Sequence, residues 1–80
     1  MTRENVFERL NTVFQDVFND ENLKVNDATT AKDVEAWDSL KHITLLAAIE
    51  DEFEVEFSMG QTVSMKNVGE MVDFILEEMD

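Results

Sequence analysis

The sequence predicts an all-α fold, a small four-helix bundle with a long first loop and a short third helix. Three observations point to it. Apolar residues recur at three- and four-residue steps in separate stretches, Pro is absent, and only Gly60 and Gly69 are available for tight turns. A sandwich or barrel needs many more turn residues. The 80 residues make one domain, 1–80, the size of a single small folding unit. With 44% hydrophobic and 31% charged residues, the composition suits a packed core over disorder.

The first helix is expected from about Thr2 to Phe18, where Val6, Phe7, Leu10, Val13, Phe14, Val17 and Phe18 form one stripe. Asn19-Asp20-Glu21-Asn22 ends it with turn-favouring residues. Its two acids oppose the C-terminal dipole. Residues 20–38 form the longest connection, longer than the usual helix–helix loop of ~2–8 residues. It must pin itself through Leu23, Val25, Ala28, Val34 and Trp37, with a helical turn expected over Asp27–Lys32.

The second helix starts after Asp38, a good N-cap, and runs to about Phe53. His42, Leu46, Ile49 and Phe53 share a stripe with Leu45 beside it, and Lys41, Thr44, Ala48, Asp51 and Glu52 point away. Phe53-Glu54-Val55-Glu56-Phe57 alternates apolar and acidic residues, but a lone strand has nothing to pair with. It is expected to be an extended linker that buries Val55 or Phe57. A short helical turn is expected over Ser58–Val63. The last helix should run from about Met65 to Met79, capped by Ser64 and buried through Val68, Met71, Val72, Ile75 and Met79.

The formal charge of −13 excludes nucleic-acid binding through phosphate contacts and disfavours anionic membranes. Partners with basic patches are expected, their encounter sped by steering. No cysteine is present, which removes disulfides and thiolate metal sites. No signal peptide and no run of ~18–20 apolar residues appears. A cytoplasmic monomer is the expectation.

The most informative run is Trp37-Asp38-Ser39-Leu40, leading directly into the amphipathic helix. A hydroxyl in the first turn of a helix lies at the positive end of the dipole, where free amides favour an attached phosphate by ~0.3–1 kcal/mol. No local base accompanies Ser39, so modification by another protein suits it better than catalysis. The plain alternative is a cap followed by an ordinary serine.

The stretch Val34–Phe57 resembles the acyl carrier protein family. It shows the Trp-Asp-Ser-Leu approach, an amphipathic helix, the Glu50-Asp51-Glu52-Phe53 exit and an extended linker. The resemblance extends over nearly the whole chain. It implies a non-enzymatic carrier with covalent 4′-phosphopantetheine on Ser39, added from coenzyme A by a phosphopantetheinyl transferase. An acyl or aminoacyl thioester rides on the arm and is passed to loading and using enzymes. Partner recognition is expected at Asp38, Leu40, Ile43, Ala47, Glu50 and Asp51. The family pattern has Gly where this chain has Ala36, and a Cβ disfavours positive φ, so the turn into the helix is expected to differ. Fatty-acid carriers are usually acidic early in this helix, whereas Lys41 and Thr44 stand here. A dedicated pathway is therefore expected: polyketide, peptide, lipid or surface polymer.

Ile43 and Ala47 read equally as contact or core. His42 reads as a boundary residue satisfied by a backbone group rather than a base, and nothing completes a triad with it. Asp20, Glu21 and Asp27 lack the EF-hand pattern, which leaves diffuse divalent-ion binding. Met59, Met65, Met71 and Met79 suggest an adaptable core, either gap-filling or able to shelter a cargo chain beside Met59, Val63 or Met71. The reading from another class is an unmodified acidic interaction module that binds a basic partner.

Overall fold

The computed structural model describes residues 2–58, 60 and 65–79. Three main helices, α1 (Arg3–Phe18), α2 (Ser39–Phe53) and α3 (Val68–Met79), dominate the regular structure among them, Gly60 is also helical, and there is no strand. The all-α expectation holds. The helical turn expected over 58–63, and with it the short third helix of the four, falls largely outside the described residues.

Helix α1 begins one residue later than the stripe suggested, because Thr2 is its cap: the Thr2 Oγ1 accepts the Asn5 amide at 3.1 Å. It ends at Asn19, which adopts the left-handed conformation at φ 53°, one that asparagine tolerates better than most residues. Val6, Leu10, Val13 and Phe14 are buried, with Phe7, Val17 and Phe18 packed at the margin of the core. Leu45, Ile49 and Phe53 of α2 and Val68, Met71, Val72 and Ile75 of α3 complete the core. Met79, expected in it, is 37% exposed as the last residue of α3. Ala48, expected to point away, is half-buried against the cluster.

Polar side chains of α1 lash the long connection down. Asn11 Oδ1 accepts the Val25 amide at 2.7 Å and Gln15 Nε2 donates to the Leu23 carbonyl at 2.9 Å. Val25 and Val34 are buried, whereas Ala28 is exposed and anchors nothing. The helical turn expected at Asp27–Lys32 does not form. Asn26 Oδ1 takes the Ala28 amide and Asp33 Oδ2 takes the Thr30 amide, so two separate turns replace it. Asn and Asp side chains compete with helical hydrogen bonding in this way.

Helix α3 starts at Val68, three residues after the expected Met65, because the loop itself caps it. The Val68 and Gly69 amides donate to the Thr29 and Asp27 carbonyls at 2.8 and 3.0 Å. Asn67 Oδ1 accepts from the Glu70 amide at 2.9 Å. The orphan donors of the first turn are thus satisfied. Ser64, expected as cap, lies outside the described residues. Arg3 clips the same corner, reaching Asp27, Asp73 at 2.6 Å and the Gly69 carbonyl at 3.2 Å. Arg9 joins α1 to α2, its guanidinium 4.6 Å over the Phe53 ring and 2.9 Å from Glu52. After α2, Glu54 turns left-handed at φ 54° and the chain continues without regular structure, burying Val55 as expected, with Phe57 half-buried.

Gly69 is required by close approach. A Cβ there would stand 2.8 Å from the Asp27 carbonyl oxygen, a contact backbone must move to relieve. Gly69→Ala is expected to cost ~1–3 kcal/mol in chemical denaturation. Gly60→Ala, whose Cβ meets nothing nearer than 4.0 Å among the described residues, is expected to leave the midpoint unchanged or raise it.

Candidate functional site

The start of α2 is positioned from below by aromatic packing. Trp37 meets Phe14 edge-on at 5.3 Å and Phe18 at 6.1 Å. Two tight turns then bring the chain to the helix: the Trp37 amide donates to the Val34 carbonyl and the Asp38 amide to the Ala36 carbonyl, each at 3.0 Å. Ala36 needs no positive φ, since Asn19 and Glu54 are the non-glycine residues that adopt one among those described. Asp38 caps α2 as expected, its carboxylate accepting the Lys41 amide at 2.9 Å. The Ser39 and Leu40 amides remain at the open helix end with no partner among the described residues.

Ser39 is the first residue of α2 and is exposed. Leu40 and Ile43 flank it at 76% and 66% exposure, so Ile43 is surface, not core. Ala47 and Asp51, further along the helix, are exposed too. Glu50 is half-buried, its Oε2 accepting the Phe57 amide at 2.9 Å, and it helps hold the linker against α2. Asp38, Leu40, Ile43, Ala47 and Asp51 therefore stand exposed along α2, with Glu50 only partly so.

Lys41 does not point away from the bundle. Its Nζ donates to the Val17 carbonyl at 3.1 Å, placing a cation on the C-terminus of α1, which has no basic residue in its last turn. This offsets the unfavourable acids after Phe18. The lysine is thus occupied with the fold.

Beside Ser39 lies an open groove of about 600 Å³ lined by Trp37, His42, Ile43 and Met65 among others. Behind it, toward Met71, is a cavity of about 60 Å³. Ala31, Trp37, His42 and Met65 border both. Met59 and Val63, the other residues suggested as shelter for a cargo chain, lie outside the described residues. His42 is satisfied by a side chain rather than by the backbone group expected: its Nδ1 accepts the Trp37 indole N–H at 3.1 Å, with the rings stacked at 6.0 Å. Burial pushes its pKa below the usual imidazole value. Among the described residues no three His, Cys, Asp or Glu side chains cluster as a metal site. Asp20 accepts the Asn22 amide and Asp27 is engaged by Arg3.

Residues 8–75 match the model of a protein family described as the phosphopantetheine attachment site. The chain belongs to that family. Its fold is also that of holo acyl carrier protein from Geobacter metallireducens, solved by NMR. The TM-score is 0.86 at 32% identity, covering 91% of this chain and 84% of that one. The protein is a carrier with a phosphopantetheine attachment site, and carriers of this family are non-catalytic. The prosthetic group supplies the thiol chemistry and the protein supplies placement and recognition. Such a group needs a reachable hydroxyl, room beside it and donors for a phosphate. The start of α2 offers all three. No helix among the described residues is long and apolar enough to cross a membrane.

The Trp37–His42 bond was not visible in the sequence, because Trp37 precedes the helix and helical spacing does not reach it. The cap was visible. Asp38→Ala is expected to cost ~0.5–2 kcal/mol in thermal or urea unfolding, while Asp38→Asn stays close to the parent. Equal losses in both variants would mean that the Lys41 amide bond does not hold α2 in place.

Proposed function

We propose that Ser39 carries the phosphopantetheine of this acyl carrier protein-like domain, and that the arm bears an acyl or aminoacyl thioester for a dedicated biosynthetic pathway. The observation that carries this reading is an exposed hydroxyl on the first residue of a capped helix, beside a groove, in a chain of the carrier family. In the loading step the Ser39 oxygen bonds to the β-phosphorus of coenzyme A. The pyrophosphate bridge breaks, the adenylate half leaves, and the serine proton passes to the transferase.

Recognition falls to Asp38, Leu40, Ile43, Ala47, Glu50 and Asp51. Leu40 and Ile43 offer apolar anchors at the serine end, and the acids favour partners with basic patches. Lys41 on the Val17 carbonyl and the uncharged Thr44 leave the early helix without the acids of fatty-acid carriers. Housekeeping fatty-acid enzymes are therefore poor partners, and efficient turnover by a fatty-acid ketosynthase would contradict the dedicated pathway.

Incubation with coenzyme A, Mg²⁺ and a broad-specificity phosphopantetheinyl transferase is expected to add one phosphopantetheine to the parent and none to Ser39→Ala, read by intact mass. A folded parent that gains no mass would favour the unmodified acidic interaction module. Ile43→Glu is expected to keep the parent melting temperature, because its side chain is exposed, and to slow transfer at least tenfold, as loss of an interface anchor does.

A further inference from the structure

His42 lies one helical turn beyond Ser39 and borders both the groove and the cavity. Its Nδ1 is the acceptor for the Trp37 indole N–H. Trp37 is in turn wedged against Phe14 and Phe18 of α1 and leads directly into Asp38 and Ser39. The bond therefore spans the start of α2, joining the residue before the cap to the first turn after it. With it made, the indole N–H is committed as well as the ring contacts to Phe14 and Phe18.

We propose that neutral His42 is a positioning residue for Ser39: by holding the Trp37 indole it fixes the approach to α2, and loading of the serine depends on that bond. This rests on Ser39 being the attachment residue.

A protonated imidazole carries hydrogen on both nitrogens and accepts from neither, so the bond exists only with the neutral ring. Burial favours that form, setting the folded transition below the ordinary value of 6.5. The charged groups bordering the same spaces are few among the described residues. Lys66 borders the cavity and Asp38 the groove, with the Asp38 carboxylate committed to the Lys41 amide, and burial is what lowers the His42 pKa. Lys41, next to His42, has its ammonium on the Val17 carbonyl, and Phe14 and Phe18 bring no charge from α1. The sign follows. The bond is complete above pH 6.5 and is lost as pH falls through the lowered folded pKa.

The transferase has its own pH profile, so the test is a ratio. Asn places Oδ1 near the position of Nδ1, accepts a hydrogen bond and does not titrate. His42→Asn is expected to load like the parent near pH 7.5. Well below the midpoint at which the His42 ring itself titrates, the parent is expected to load roughly fivefold more slowly than His42→Asn, the ratio corresponding to one net hydrogen bond. Trp37→Phe keeps an aromatic ring without the donor, and is expected to load roughly fivefold more slowly than the parent near pH 7.5. The single tryptophan gives one indole N–H resonance, which should shift with the His42 ring at a midpoint below pH 6.5. A parent-to-Asn ratio that stays constant with pH, or an indole resonance that ignores the His42 titration, would overturn the proposal. A parent that takes up no phosphopantetheine at any pH would overturn the assignment of Ser39, and with it the effect on loading, while the resonance still reports whether the bond titrates.

Discussion

Trp37 against Phe14, at 5.3 Å and edge to face, is the contact on which the presentation of the helix start depends. The connection from Asn19 to Asp38 has little regular structure to guide it. A loop of that length closes at modest entropic cost, but it has no reason to end in one place unless something large and directional fixes it. The indole does so. Phe14, fully buried in α1, supplies the floor, Phe18 one side and His42 the polar end. The geometry of the first helix is thereby transmitted to the first turn of the second, although the two are far apart in sequence.

The other end of the connection is fixed by a different economy of groups. The Asp27 and Thr29 carbonyls would be orphaned in a loop, and the first amides of α3 would be orphaned in a helix. They satisfy each other. The arrangement requires Gly69, because the backbones come too close for a Cβ. Arg3 closes the corner from outside. Its ion pairs are largely exposed, a setting in which such pairs contribute little, so the mutual capping and the burial of Val68, Met71 and Val72 carry most of the stabilisation. The loop thus bridges α1, α2 and α3 without an element of its own.

Much of this was legible in the residues. The stripes of α1 and α2 gave both helices to within a residue, and Asp38 announced its cap. Val55 in the linker followed from alternation. What failed did so for identifiable reasons. Asn26 and Asp33 side chains diverted the backbone between them into separate turns. The start of α3 depended on carbonyls some forty positions earlier, which no local window contains. Lys41 read as a solvated face residue until the bare C-terminus of α1 was placed beside it. His42 was expected to find a backbone partner and found Trp37. The exposure of Leu40 and Ile43 depends on the whole bundle, and their own spacing left Ile43 undecided.

Carriage of the prosthetic group falls to one oxygen atom, the Ser39 hydroxyl. The most direct measurement is peptide-level fragmentation mass spectrometry of the protein isolated from the cells that make it. The peptide containing Ser39 is expected to carry phosphopantetheine, to eject the pantetheine fragment on activation, and to retain whatever cargo the pathway has loaded. A Ser39 peptide recovered only unmodified, or the group found on another residue, would contradict it.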